Sequence, residues 1–88
     1  MLSNQSKYAI RGVLYLAIHA DKRNKLGSAA VSEQTNIPAP FLAKIFQKLS
    51  RADLIVSTKG PGGGFYLSEV ELGNSLLDII ECIDGLEA

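Results

Sequence analysis

The stretch Lys59-Gly60-Pro61-Gly62-Gly63-Gly64 is the part of this sequence best able to do chemistry, because glycines let a backbone approach a ligand closely. Phosphate cradling is the first chemistry to test. A P-loop needs Lys followed by Ser or Thr after its last glycine, at the start of a helix. Here Phe65-Tyr66-Leu67 follows, which is strand-like. A dinucleotide fingerprint needs glycine three residues beyond Gly62, and that position is Phe65. Both nucleotide readings fail. A narrow loop suits another role: Pro61 limits the entropy lost on ordering, and no bulky side chain obstructs entry into a minor groove. Lys59 at its edge would meet the strong negative potential there. The plain alternative is a flexible hairpin turn.

A second constellation lies just upstream. From Pro40 the spacing predicts a helix with Phe41, Leu42, Ile45, Phe46 and Leu49 on one face. Its other face carries Ala43, Lys44, Gln47, Lys48 and Arg51. On such a helix Lys44 is suited to donate to guanine N7 and O6, while Pro38, Ala39, Pro40 and the Phe41 edge offer apolar contact to thymine methyls. Gln47, Lys48 and Arg51 lie further along and fit phosphates. Outside this context such residues are most often a solvated helix face.

Other chemistry is poorly supported. One histidine, His19, and one cysteine, Cys82, stand far apart and cannot alone make a metal site. His19 reads as a helix-end residue and Cys82 as a structural thiol. Asp78, Glu81 and Asp84 read as a solvated helix face. No nucleophile has a recognisable base, and the sequence does not read as an enzyme.

These residues need elements to hold them. Ser6–Ala20 has helical periodicity, with Ala9, Val13, Leu16, Ala17 and Ala20 recurring and Ile10, Leu14 and Ile18 widening the stripe. Residues 21–27 read as an exposed basic loop with freedom to move. A short helix is expected over Ser28–Gln34, capped by Ser28 or Gly27, with Ala30 and Val31 inward. Thr35-Asn36-Ile37-Pro38 breaks it, because the residue before proline avoids helical geometry. Two helices around a turn of about four residues, the second with a basic face, outline a helix-turn-helix. Leu54–Thr58 and Phe65–Ser68 flank the glycine loop as a β-hairpin. A last helix is expected from about Gly73, with Leu76, Leu77, Ile80 and Ile83 on one face and Asp84-Gly85 as its stop. The fold class expected is therefore mainly α with a small β-hairpin, a winged helix-turn-helix forming one domain over residues 1–88.

Charge distribution agrees with a polyanionic partner. Net charge is zero, yet all nine Lys and Arg precede residue 65. Only Asp21, Glu33 and Asp53 oppose them there, leaving +6 before residue 65 and −6 after it. Such asymmetry hints at a polyanion-binding half, the plain alternative being a mixed solvated surface. The apolar share of 47% suits a folded chain. No apolar run nears the roughly 20 residues that span a bilayer, no signal peptide opens the chain, and a lone cysteine forms no internal disulfide. A cytoplasmic location without membrane association is expected.

The sequence resembles the Rrf2 family of bacterial transcription regulators. The resemblance rests on Ser6-Lys7-Tyr8-Ala9, on Phe41-Leu42-x-Lys44-Ile45-Phe46-x-Lys48-Leu49, on Ala52-Asp53-Leu54-Ile55, on Lys59–Phe65, and on Asp78-Ile79-Ile80 with Asp84-Gly85. It implies a homodimer that binds palindromic double-stranded operator DNA, most often as a repressor. It implies that the helix from Pro38–Phe41 enters the major groove, and that Ser6, Tyr8 and the wing residues Lys59, Gly60, Pro61 and Gly62 also face DNA. The chain departs from the family in having Pro38, Pro40, Phe41, Ala43 and Lys44 where relatives often carry Ser, Tyr and Gln or Glu. Many members continue into a long dimerisation helix and a loop whose three cysteines hold an iron–sulfur cluster. Ala88 precedes both and Cys82 does not match the triplet, so no cofactor is expected in this chain, as either a truncated sequence or a short member. Weaker dimerisation and DNA affinity are then expected. The rival reading is a winged-helix module that docks another protein through the surface around Phe41.

Overall fold

The computed structural model describes residues 3–74 and 76–85; Glu87, counted in the acidic segment, lies outside them. The first helix, α1, runs Asn4–His19. Ser3 caps it, its hydroxyl accepting the Ser6 N–H at 3.0 Å. Ala9, Val13 and Leu16, followed by Ala20, face the core. Leu14 and Ile18 do not; they stand 50% and 73% exposed, on a stripe beside the buried one. At Gly12 α1 crosses close to the third helix. A Cβ there would lie 3.0 Å from Phe46 Cε1 and 3.2 Å from Leu42 Cδ2.

Helix α2 covers Ser28–Thr35, with Gly27 rather than Ser28 as its cap. Val31 is fully buried, but Ala30 faces solvent, contrary to expectation. Eight residues give only two turns, and one inward position is what this helix needs. Asn36 then takes a left-handed conformation, φ 61°. Its C-terminal carbonyl, on Thr35, accepts the Arg11 Nη2 donor at 2.6 Å. Arg11 thus pins the turn to α1, and Ile37, fully buried, anchors it to the core.

Helix α3, Ala39–Arg51, starts with Pro40 in its first turn, where a missing N–H costs nothing. Leu42, Ile45, Phe46 and Leu49 are buried. Phe41 departs from the expected stripe: it is 52% exposed and stacks on Tyr8 instead. The helix stops at Ala52 with Asp53 left-handed, φ 60°, and the Leu54 N–H donating to the Leu49 carbonyl at 2.9 Å. That six-to-one bond closes the orphaned end.

The hairpin pairs β1, Val56–Thr58, with β2, Gly64–Tyr66, in register Val56↔Tyr66, Ser57↔Phe65 and Thr58↔Gly64. Leu26 adds a short third rung, exchanging two backbone bonds with Phe65 at 3.1 and 2.8 Å. Gly64 makes this possible: at φ 151° a Cβ would fall 2.9 Å from the Leu26 backbone. The basic loop is not left loose. Asp21 Oδ1 accepts the Arg23 and Asn24 N–H groups, both at 2.8 Å, and Lys25 lies 6.0 Å from the Tyr66 ring centroid.

A four-residue helix, α4 at Glu69–Leu72, was not anticipated. The Ser68 hydroxyl and, at 2.8 Å, the Ser68 N–H both donate to Glu71 Oε1, and these bonds hold the Glu71 carboxyl below its ordinary range. The final helix, α5 at Leu76–Asp84, buries Ile79 and Ile83. Leu76 and Leu77, expected inward, are exposed because the first turn projects past the core, where Leu76 joins Leu14 and Leu72 around an open apolar groove. Gly85, φ 62°, ends the helix as expected, its N–H bonded to the Glu81 carbonyl. No described helix is long and apolar enough to cross a membrane.

Candidate nucleic-acid interface

The apolar face of α3 fixes its polar face. Because Leu42, Ile45, Phe46 and Leu49 are locked inward, Pro40, Lys44, Gln47, Lys48 and Arg51 are all turned to solvent. Pro38 precedes them, also exposed, and Ala39 is half-buried. Lys44, Lys48 and Arg51 fall at spacings of four and three on one edge of α3.

The first turns of α1 lie against that edge. Asn4, Gln5 and Tyr8 face Phe41, Lys44 and Lys48 across a recess of about 240 Å³. The Tyr8 and Phe41 rings form its wall, centroids 6.1 Å apart and planes inclined by 30°. An amide pair, a phenol and two ammonium groups around two apolar rings suit a phosphodiester with its sugar. Asn4 and Gln5 are not among the residues the sequence singles out; the signal for them is the spacing of Asn4 and Tyr8, one turn apart behind a Ser3 cap. Ser6 is a different matter. It is fully buried, turned to the interior by the same helical phase that exposes Asn4 and Gln5, and so cannot present its hydroxyl to a duplex.

The wing is placed by packing. Phe65 of β2 sits 4.9 Å from the Phe46 ring centroid, so the hairpin is keyed to the core side of α3. Lys59, Gly60, Pro61 and Gly62 form its exposed tip. Gly60 and Gly62 have φ of 86° and 75°, which side-chain-bearing residues rarely adopt, and the Gly63 N–H closes the turn onto the Gly60 carbonyl at 2.9 Å. Lys59 shares an open groove with Arg51 at the end of α3, with Asp53 and Glu71 on its rim. The structure therefore puts the wing cation and the last cation of α3 on the same open groove, an arrangement the sequence does not give.

The remaining candidates have structural surroundings. His19 closes α1 and packs on Tyr15, centroids 4.3 Å apart. Cys82 is half-buried, its thiol 3.6 Å from the Lys48 carbonyl, and burial pushes its pKa up despite the nearby Lys48 charge. Such a thiol is less nucleophilic than a free one.

A family model described as "Rrf2: Iron-dependent Transcriptional regulator" matches residues 2–88. The chain belongs to the Rrf2 family. Curated relatives include the HTH-type transcriptional regulator IscR of Vibrio cholerae, 32% identical over 83 residues, covering 94% of this chain and 47% of that protein. A putative HTH-type transcriptional regulator of Aquifex aeolicus is 36% identical over 81 residues, covering 92% of this chain and 55% of its own. The chain thus spans about half the length of the curated relatives it matches. The solved structure of CymR, the global cysteine regulator of B. subtilis, superposes with a TM-score of 0.85 at 23% identity, over 98% of this chain and 66% of that one. The T. potens IscR structure gives 0.82 at 22%, over 100% and 64%. At this identity the likeness is one of fold, and the fold is the winged helix. The family and these relatives are transcriptional regulators, not enzymes.

The family description invokes iron, so the donor set of this Rrf2 chain matters. Among the described residues no group of three or more His, Cys, Asp or Glu comes together. The one cysteine points at a backbone carbonyl. These residues do not by themselves fit an iron centre.

Proposed function

We propose that this Rrf2-family chain binds double-stranded DNA sequence-specifically as a transcriptional regulator, acting as a repressor. The observation that carries the reading is the single exposed edge formed by Lys44, Lys48 and Arg51 of α3, continuous with Tyr8 of α1 on one side and Lys59 of the wing on the other. In this reading α3 lies in the major groove, Lys44 and the apolar Pro38, Ala39, Pro40 and Phe41 meet base edges, and Gln47, Lys48 and Arg51 take phosphates. Gly60, Pro61 and Gly62 carry Lys59 into the adjoining minor groove. Tyr8 contributes a backbone contact and Ser6, being buried, does not.

A palindromic operator read by a homodimer completes the proposal. Support comes from the open apolar groove rimmed by the exposed Leu14, Leu72 and Leu76, three large apolar side chains gathered on one surface. A second copy covering it would present two α3 helices to two half-sites.

Selecting bound sequences from a random duplex library at two salt concentrations tests this. An enriched two-fold symmetric site, with affinity falling steeply as salt rises, is the expected result. Recovery of unenriched sequence, or association indifferent to salt, sinks it.

A further inference from the structure

Helix α5 ends in a way that makes little sense for α5 itself. Its last turn holds no basic residue and finishes on Asp84, an acid at the negative end of a helix dipole. The first turn of α1 shows the complementary lack: it has no acidic residue of its own. The two ends meet. Ser3, the cap of α1, donates its hydroxyl to Asp84 Oδ1, and the Ser3 N–H approaches Asp84 Oδ2 at 3.4 Å. Ser3 Oγ in turn accepts the Ser6 N–H at 3.0 Å, and the Ser3 carbonyl accepts the Lys7 N–H at 3.1 Å. A relay thus runs from the Ser6 amide through Ser3 to a carboxylate on another helix, and charge-assisted bonds in series reinforce one another. Two residues before Asp84, Cys82 touches the Lys48 carbonyl. The end of α5 therefore contacts both helices that wall the recess of Tyr8, Phe41, Lys44 and Lys48.

We propose that Asp84 is a positioning residue for the DNA-facing surface: it supplies, from the far end of the same chain's α5, the carboxylate that the first turn of α1 lacks and so fixes where Asn4, Gln5 and Tyr8 stand relative to α3. The inference rests on the DNA-binding reading above. It also makes a prediction whose sign runs against simple electrostatics. Removing an acid from a protein that binds a polyanion ordinarily tightens binding. Removing this one loosens it.

The test uses the 88-residue chain, with the duplex that the wild-type chain selects from a random library as probe. Asp84→Asn keeps the shape and removes the charge; Glu81→Gln removes a neighbouring charge of the same helix. Asp84→Asn is expected to weaken duplex binding about two- to fivefold, and Glu81→Gln to leave it equal or tighter. Ser3→Ala should weaken it similarly, and the double variant Ser3→Ala/Asp84→Asn no further than either alone. Without DNA, amide exchange at Ser6 and Lys7 should quicken in Asp84→Asn while the protection of the α3 core is retained. Binding by Asp84→Asn as tight as wild type, additive losses in the double variant, or unchanged exchange at Ser6 and Lys7 would each overturn the clasp. Failure of the wild-type chain to bind any duplex removes the DNA reading instead, and the exchange measurement then judges the clasp independently.

Discussion

Gly12 offers a prediction in which two opposing effects have known sizes. In an exposed helix interior, Gly→Ala gains about 1 kcal/mol of helix propensity. At position 12 the added Cβ would stand 3.0 Å from Phe46 Cε1 and 3.2 Å from both Phe46 Cζ and Leu42 Cδ2. Neither partner can retreat, since both are fully buried and Phe46 is held from its far side by Phe65. Overpacking of this kind costs about 1–3 kcal/mol. The crowding term wins over propensity, so Gly12→Ala should lose about 1 kcal/mol net. For a chain this size that lowers Tm by about 5 °C. Gly12→Val adds two more carbons and a β-branch, and should lose about 3 kcal/mol, a large part of the stability of a small domain. Urea titration followed by circular dichroism measures both. If Gly12→Ala instead gains about 1 kcal/mol, the surface-helix value, α1 and α3 are not in close contact and the account of how α3 is seated is wrong.

Four further outcomes follow from the same geometry. Lys44→Ala should cost about 1–3 kcal/mol of binding and relax preference at one base pair, whereas Lys48→Ala should weaken all sequences alike and reduce the salt slope by about 1, as read from titrations at several salt concentrations. Lys59→Ala should weaken binding to duplexes with a narrow A·T minor groove more than to matched G·C flanks; equal loss on both would refute the placement of the wing. Asp53→Gly should raise stability by about 0.5–1 kcal/mol in thermal melts, because it relieves a left-handed non-glycine residue while keeping the Leu54–Leu49 bond. Glu71 has a depressed pKa in the folded state, so its contribution is complete above the ordinary glutamate range of about 4.3 and disappears as pH falls through the lower folded value. Wild type and Glu71→Gln should therefore differ near neutral pH and converge in acid, as denaturation at stepped pH will show.

Most of the fold was legible because its signals are local and periodic. The α3 stripe, the Thr35–Pro38 break and the glycine wing each announce themselves within a few residues, and each is in place. The misses came from competition between neighbours. Periodicity allows Phe41 on the apolar face, but a helix has room for one seam against the core, and Tyr8 of another element takes the ring outside it. Leu76 and Leu77 carry the right residue type, yet the first turn of α5 overhangs the core. Ser68-Glu69-Val70-Glu71 has the Ser-x-x-Glu spacing that starts a helix, but one turn is too short for any apolar period to mark it. At the interface, the cations of α3 and the wing were readable as a list. That Arg51 and Lys59 line one groove was not, since it depends on Phe65 packing against Phe46 across nineteen positions of sequence. Ser6 shows the converse: a family resemblance named it, and helical phase placed it inside.

The contact between Ser3 and Asp84 also says something about how the chain is threaded. Residues 81 apart in sequence touch, so the path of the backbone is nearly a closed ring. A ring can be cut elsewhere. Within residues 3–85, a short glycine–serine link from the end of α5 to the start of α1, with the segment opened in the exposed stretch between Lys22 and Arg23, would give a circular permutant of this segment in which the helices and the hairpin keep their packing. In that rearranged order the helix-turn-helix and the wing come first and α1 last, so the cationic edge would be synthesised before the helix that now precedes it.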